Sequence, residues 1–374
     1  MPTARDLDSL PQDLKQLLAH HRFDPDRFGA WASDLAAGKQ FDNRVHGAVT
    51  APLPQDLAEL PARESAEHAR LERVGLEALA HGRCALVVLA GGMATRMGGV
   101  VKALVDAIPD HSFLDLRLRE VAAMQRRAGR AFPLWLMTSH STHQKLAEAL
   151  GSRLDGENLA LFSQHLSLRL TPEGALFRDA DGTPSEYAPG HGDLPDALKE
   201  SGLLTRFVER GGRTIMIANI DNLGATVSPA ILGWHLEHGA GLSCEVVDKV
   251  GSDRGGIPVR LDGRPVILEE FCLPASVDPS AVRVFNTNTF HVDARQLLEL
   301  NFPWTFYSVT KTVSGKPAIQ FERLVNELTR HMDTRFLRVP RDGLDARFLP
   351  VKDEAELKAR VPQLTEIAQA RGWI

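Results

Sequence analysis

The sequence predicts an α/β fold: a mixed, mainly parallel sheet preceded by a helical region. Three observations carry this. From residue 84 onward, short apolar strand-like runs alternate with helical stretches, the pattern of βαβ units. One run, 86–90, ends abruptly in Gly91-Gly92 and leads into a glycine-rich basic turn. The chain has 374 residues, 43% apolar and 24% charged, enough for one large α/β domain or two to three average ones.

The elements follow in order. Residues 1–80 read as helical. Leu10, Leu14, Leu17 and Leu18 recur at i, i+4, i+7 and i+8, and Phe28, Trp31 and Leu35 at i, i+3 and i+7, each set forming one buried helix face. Pro52, Pro54 and Pro61 mark a loop before a further helical pattern over 71–79, which Gly82 closes. The strand-like run 86–90 precedes a helix over 115–127. Run 134–137 precedes a helix over 142–150, and run 215–218 a helix over 229–238. Beyond about residue 241 the reading turns to strands and turns. Runs 243–247, 257–261 and 266–268, the last two joined by Asp262-Gly263, suggest an inserted or edge antiparallel portion. A helix over 354–369 ends the chain.

Composition excludes several classes. A net charge of −5 argues against a protein built to bind nucleic acid. Cys84, Cys244 and Cys272 are far apart, with no CxxC spacing, so neither a zinc knuckle nor a redox pair is expected, and a reducing, cytoplasmic setting fits best. No apolar run approaches the ~18 residues of a membrane span, and no apolar h-region follows Met1.

The glycine turn is the first candidate site. Gly91, Gly92, Thr95, Arg96, Gly98, Gly99 and Lys102 let backbone N–H groups approach a phosphate with cations at hand. The turn is neither a GxxxxGK[ST] P-loop nor a GxGxxG fingerprint; its structural alternative is a tight strand-to-helix turn. Asp221 stands just past the run 215–218. Ligands of open α/β sheets bind beyond strand carboxyl ends, and a carboxylate opposite a phosphate loop suits Mg²⁺, which uses one or two carboxylates plus phosphate oxygens and water. A helix cap or Asx turn is the plainer alternative. His191, between glycines in Pro189-Gly190-His191-Gly192-Asp193, can face a ligand. Asn286-Thr287-Asn288, after the strand-like run 282–285, offers amides suited to sugar hydroxyls. Lys311 alone would read as a surface lysine.

Ten segments in order then carry a resemblance: LAGGMATRMGG..K (89–102), LMTSHST (136–142), FSQ (162–164), PGHGDL (189–194), ANIDNLGA (218–225), DKVGSDRGGIP (248–258), ILE (267–269), FNTNTF (285–290), TKT (310–312) and RFLPVK (347–352). Together they resemble the UTP–glucose-1-phosphate uridylyltransferases (UDP-glucose pyrophosphorylases) of the eukaryotic sequence type. NIDNLGA and GHGDL favour that branch over the UDP-N-acetylhexosamine pyrophosphorylases. The resemblance implies a Rossmann-like (glycosyltransferase-A-like) nucleotidyltransferase domain over 81–345, between a helical region at 1–80 and a short tail at 346–374. It implies that UTP and glucose 1-phosphate give UDP-glucose and pyrophosphate, with Mg²⁺ as cofactor.

By matched position, the backbone of Gly91 and Gly92 would hold the nucleotide, and Gln164 and Gly190 would read the uracil edge. His191 would approach the sugar-bound phosphate. Asn219, Gly256, Glu269 and Asn288 would hold glucose hydroxyls. Asp221 would bind the metal, and Lys102 and Lys311 would neutralise phosphates. The chain departs from the family in carrying Ala94 where glycine is usual, and Val100-Val101 where Gly-Pro precedes the lysine. It also has Thr289-Phe290-His291 where Asn-Leu-Trp is usual. Eukaryotic members continue past RFLPVK into a β-helix, whereas this chain stops 22 residues after Lys352. The expectation is thus a monomer, or an oligomer not built on that β-helix. Competing readings are a pyrophosphorylase for another sugar such as galactose 1-phosphate or of broad UDP-sugar specificity, and a non-catalytic UDP-sugar-binding protein.

Overall fold

A computed structural model describes residues 7–94, 98–238, 241–251 and 253–374. Thr95 and Arg96 of the glycine turn lie outside the described residues. Eight strands form the main sheet: β1 (Leu57–Glu59), β2 (Cys84–Leu89), β3 (Leu134–Thr138), β4 (Leu159–Ser163), β5 (Thr214–Asn219), β6 (Leu242–Asp248), β7 (Val284–Asp293) and β8 (Thr334–Arg338). Their spatial order is β1-β8-β6-β7-β5-β2-β3-β4. All neighbours pair in parallel except β7, which runs antiparallel between β6 and β5.

Both faces of the sheet are covered, which explains the near-continuous apolar runs. Along β2, Ala85 and Val87 enter one core, while Cys84, Leu86 and Val88 enter the other. Seven helices cover the helical patterns of the sequence, several beginning before the apolar pattern does: α1 (Gln12–His20), α2 (Pro25–Ala36), α3 (Ala66–Ala80), α4 (Phe113–Ala128), α5 (His140–Leu150), α6 (Pro229–His238) and α7 (Glu354–Ala370). Asp24, Ser65, Ser112 and Asp353 cap four amino ends through side-chain oxygens. Gly129, in the left-handed region at φ 66°, ends α4. Helices α1 and α2 pack on a third apolar cluster with Leu166, Leu168, Leu170, Ile319 and Phe321. There Trp31 stacks on Phe321, with ring centroids 4.1 Å apart. Residues 57–80 join the sheet unit itself: β1 pairs with β8, and α3 packs on α6. Among the described residues no helix is long and apolar enough to cross a membrane.

Helices α3 and α6 meet through two reciprocal glycines. A Cβ on Gly75 would collide with the Pro229 carbonyl oxygen, and one on Gly233 with that of Leu71. Glycine inside a helix costs about 1 kcal/mol relative to alanine, so close backbone approach is the gain here. Gly75→Ala is expected to destabilise by about 1–3 kcal/mol through overpacking, lowering the melting temperature by several degrees. A variant that melts with the parent would remove this account of the contact.

Two expectations are corrected. Run 243–247 is not part of an antiparallel edge portion: β6 sits inside the main sheet, parallel to β8. Its buried polar residues Ser243 and Glu245 imitate the alternation of a half-exposed strand. Their partners lie outside the strand: His235 on α6 for Ser243, and the distant His291 and Arg347 for Glu245. Likewise Asn286–Asn288 does not follow a strand but lies within β7. The ladder shifts register between Cys244 and Val246, and Asn288 takes φ 58°. The expected hairpin does form, pairing Ile257–Leu261 with Arg264–Leu268 across a turn with both Asp262 and Gly263 left-handed.

Candidate active site at the carboxyl edge of the sheet

Strands β5, β2, β3 and β4 lie side by side and end together. Asn219 is level with Leu89, Leu89 with Met137, and Thr138 with Ser163. The segments that follow them therefore emerge at one edge, the usual ligand edge of such sheets. Because β7 is antiparallel, its first half reaches the same edge, where Asn288 donates to Asn219 Oδ1 at 2.9 Å.

The glycine turn folds back as a small hairpin, Met93–Ala94 against Val100–Val101. Gly91 is pinned: its carbonyl accepts from Ser139 Oγ at 2.8 Å, and a Cβ on it would strike the Gln164 amide nitrogen. Among the described residues nothing lies within 4 Å of a Cβ built on Gly92. Val100-Val101 still delivers Lys102 to the edge. Its ammonium donates to Asp221 Oδ2 at 2.6 Å and to the Val351 carbonyl at 2.9 Å. Both side chains of the pair are less than one-fifth exposed.

The Asp221 loop is held from beneath. Arg117, fully buried, donates to the carbonyls of Asn219, Asn222 and Ala225 at 3.0, 2.6 and 2.8 Å, with Glu120 balancing its charge. The Asn222 side chain bridges to the RFLPVK segment, donating to the Arg347 carbonyl and accepting from Leu349 N–H.

Beside the pair lies a continuous polar chain. Asn286 Oδ1 accepts from Asn288 N–H, and Asn286 N–H donates to the Gly256 carbonyl, both at 2.8 Å. A Cβ on Gly256 would lie 2.8 Å from Glu269 Oε1, and that oxygen accepts from Asn326 Nδ2 at 3.0 Å. Burial and the neighbouring Glu270 push the Glu269 carboxyl up to about 7, against the Asn326 donor.

The Gly190–Asp193 turn locks onto residues 323–325. Gly190 has φ 105°, and a Cβ there would sit 2.7 Å from the Arg323 carbonyl oxygen. His191 Nδ1 accepts from Val325 N–H at 2.9 Å, which assigns the proton to Nε2. Burial pushes its pKa down to about 4, leaving a neutral donor near pH 7. The turn's Asp193 is buried under Arg323 and accepts from His165 N–H, beside Gln164.

The family model for UTP–glucose-1-phosphate uridylyltransferase matches residues 45–369. The chain belongs to the UTP–glucose-1-phosphate uridylyltransferase family. It is 30% identical over 296 residues to UTP–glucose-1-phosphate uridylyltransferase 2 of Dictyostelium discoideum, covering 74% of this chain and 57% of that protein. It is 31% identical over 295 residues to the Hordeum vulgare enzyme of the same name, covering 73% and 60%. The chain thus spans about three-fifths of the length of these relatives. Its fold is similar to that of the UDP-glucose phosphorylase of Trypanosoma brucei, with a TM-score of 0.71, 22% identity, and coverage of 90% and 74%.

Within this family member, the structure joins Gly91 to Gln164, Lys102 to Asp221, and Asn219, Asn288, Gly256 and Glu269 to one another. His191 and Gly190 border the last group through Val325 and Asn326. Lys311 stands apart on the hairpin Tyr307–Val313/Lys316–Glu322, half exposed and 3.4 Å from Glu322. Among the described residues no contact links it to Lys102 or Asp221. No group of three or more His, Cys, Asp or Glu among the described residues is placed to cage a metal. Asp221 as a single carboxylate does fit Mg²⁺, which takes its remaining ligands from phosphates and water; its Oδ1 makes no hydrogen bond among the described residues. Sequence reasoning passed over Arg117, Arg323 and Asn326. Arg117 does leave a trace, as an arginine within the apolar pattern of FLDLRLRE.

Proposed function

We propose that this chain transfers a uridylyl group from UTP to glucose 1-phosphate, forming UDP-glucose and pyrophosphate. The observation that carries the reading is the partly buried Lys102–Asp221 pair, set between the glycine turn and the Asn219–Asn288–Gly256–Glu269 chain. A phosphate oxygen of the sugar phosphate attacks the α-phosphorus of UTP in line. The bond from that phosphorus to the bridging oxygen breaks, and pyrophosphate leaves with the electron pair.

The attacking atom is already an oxyanion, so no general base is needed. The task is to gather three anionic groups against their repulsion, by positioning and charge neutralisation. The backbone of Gly91 and Gly92 holds the nucleotide, and Gln164 and Gly190 meet the uracil edge. Lys102 turns its ammonium from Asp221 toward the UTP phosphates, and Lys311 supplies a second cation from its hairpin. His191 donates from Nε2 to the sugar phosphate without adding charge. Asn219, Asn288, Gly256 and Glu269 hold the hexose hydroxyls. Asp221 would hold Mg²⁺, which when bound neutralises phosphate charge. A cytoplasmic setting agrees with three free, buried cysteines.

The test is pyrophosphate release with UTP and Mg²⁺ against a panel of hexose 1-phosphates. Release that requires both substrates, fastest with glucose 1-phosphate, is expected. UDP-glucose binding with no release from any hexose 1-phosphate would replace catalysis with the non-catalytic reading.

A further inference from the structure

We propose that Asn326 is a positioning residue for sugar recognition, holding Glu269 as an ionised acceptor over Gly256. This rests on the reading of Glu269 as a ligand for the sugar. Asn326 is 4% exposed, and its side-chain amide has one hydrogen bond among the described residues, the 3.0 Å donation to Glu269 Oε1. The same oxygen and the Asn326 nitrogen crowd the Cα of Gly256, at 2.8 and 3.4 Å from a Cβ built there. Ile267 closes the third side at 2.6 Å. The absence of a side chain at Gly256 leaves space for this carboxylate, and its bond with Asn326 engages Oε1.

The charges around Glu269 explain why a donor is needed. Burial disfavours its ionised form, and Glu270 on its own segment adds like charge. Lys249, 3.7 Å from Glu270, draws on that neighbour rather than on Glu269. From the facing segments, Glu327 is occupied by Thr305, with Arg330 3.8 Å away, and Tyr307 pairs with Cys272. No cation pairs with Glu269 among the described residues. Asn326 is the one donor favouring its charge, and a hydrogen bond to a charged group counts for more than a neutral one. An ionised Glu269 accepts a charge-assisted hydrogen bond from a sugar hydroxyl; a protonated one is a weaker, neutral acceptor.

The sign follows. The Glu269 carboxyl titrates near 7, so the acceptor form grows as pH rises through that value. Without Asn326 the titration moves higher still. Asn326→Ala should raise KM for glucose 1-phosphate about tenfold at pH 7. It should change kcat by less than about threefold and leave KM for UTP unchanged. At pH 9 the KM difference should shrink to within about twofold, because both proteins are then ionised. Asn326→Asp, of the same shape, should give a larger shift in the same direction by placing a second carboxylate against Glu269. It also serves if the alanine variant fails to fold. Glu269→Gln should raise KM and flatten its pH profile. Variants of Asn326 whose KM–pH curves superimpose on the parent, while Glu269→Gln moves KM, would overturn the positioning role alone. A Glu269→Gln protein with unchanged KM for the sugar phosphate would overturn the sugar-site reading as well.

Discussion

Lys102→Ala is expected to cut turnover in pyrophosphate release by at least about a hundredfold, the loss typical for one preorganised charge contact at a transition state. The ammonium lies at the crossing of three segments, bonded to Asp221 and to the Val351 carbonyl and shielded from water. In the proposed reaction that ammonium turns from Asp221 to the UTP phosphates, a cation supplied from within the site rather than drawn from solvent. The substitution also leaves Asp221 without its cation, so some stability is lost; melting curves run beside the assay separate the two effects. A folded variant that turns over at the parental rate would remove Lys102 from the reaction.

Asp221→Asn should lose a comparable factor of about a hundred or more. Asparagine keeps the shape and an oxygen for Lys102 but withdraws the negative charge. If Asp221 holds Mg²⁺, half-saturation by Mg²⁺ should rise together with the fall in kcat, and excess EDTA should silence the parent. Full parental activity in EDTA would be incompatible with that role. The two variants also differ in kind: loss of the lysine cannot be offset by more Mg²⁺, whereas loss of the aspartate should be offset in part.

Much of this was legible in the residues, for physical reasons. β2, β3 and β5 are buried on both faces, so each shows as an uninterrupted apolar run with a helix to follow. The motifs just past those strands had to meet, because parallel neighbours end at the same edge. β6 departs from expectation because Ser243 is satisfied by His235 on the preceding helix and Glu245 by residues far along the chain, and alternation within a strand cannot register such partners. The Asn286–Asn288 segment failed because its amides serve the site from within a strand, where polar residues usually signal a turn. Asn326 left no local signal at all: it is ordinary in its own segment, and its meaning comes from a carboxylate 57 positions away. Lys311 was placed by resemblance alone, and the fold sets it on a separate hairpin.

The pairing of β1 with β8 has a bearing on how the chain assembles. Leu57–Glu59 finds its neighbour only when Phe336–Arg338 has been made, and until then β6, buried from Leu242 to Val247 in the finished molecule, has no strand on that side. During synthesis at roughly 5–20 residues per second, the first strand waits for the last while an apolar edge stands open, a template for pairing with other chains. The long-range closure that completes the sheet is thus also the step at which a nascent or truncated chain is most exposed to aggregation.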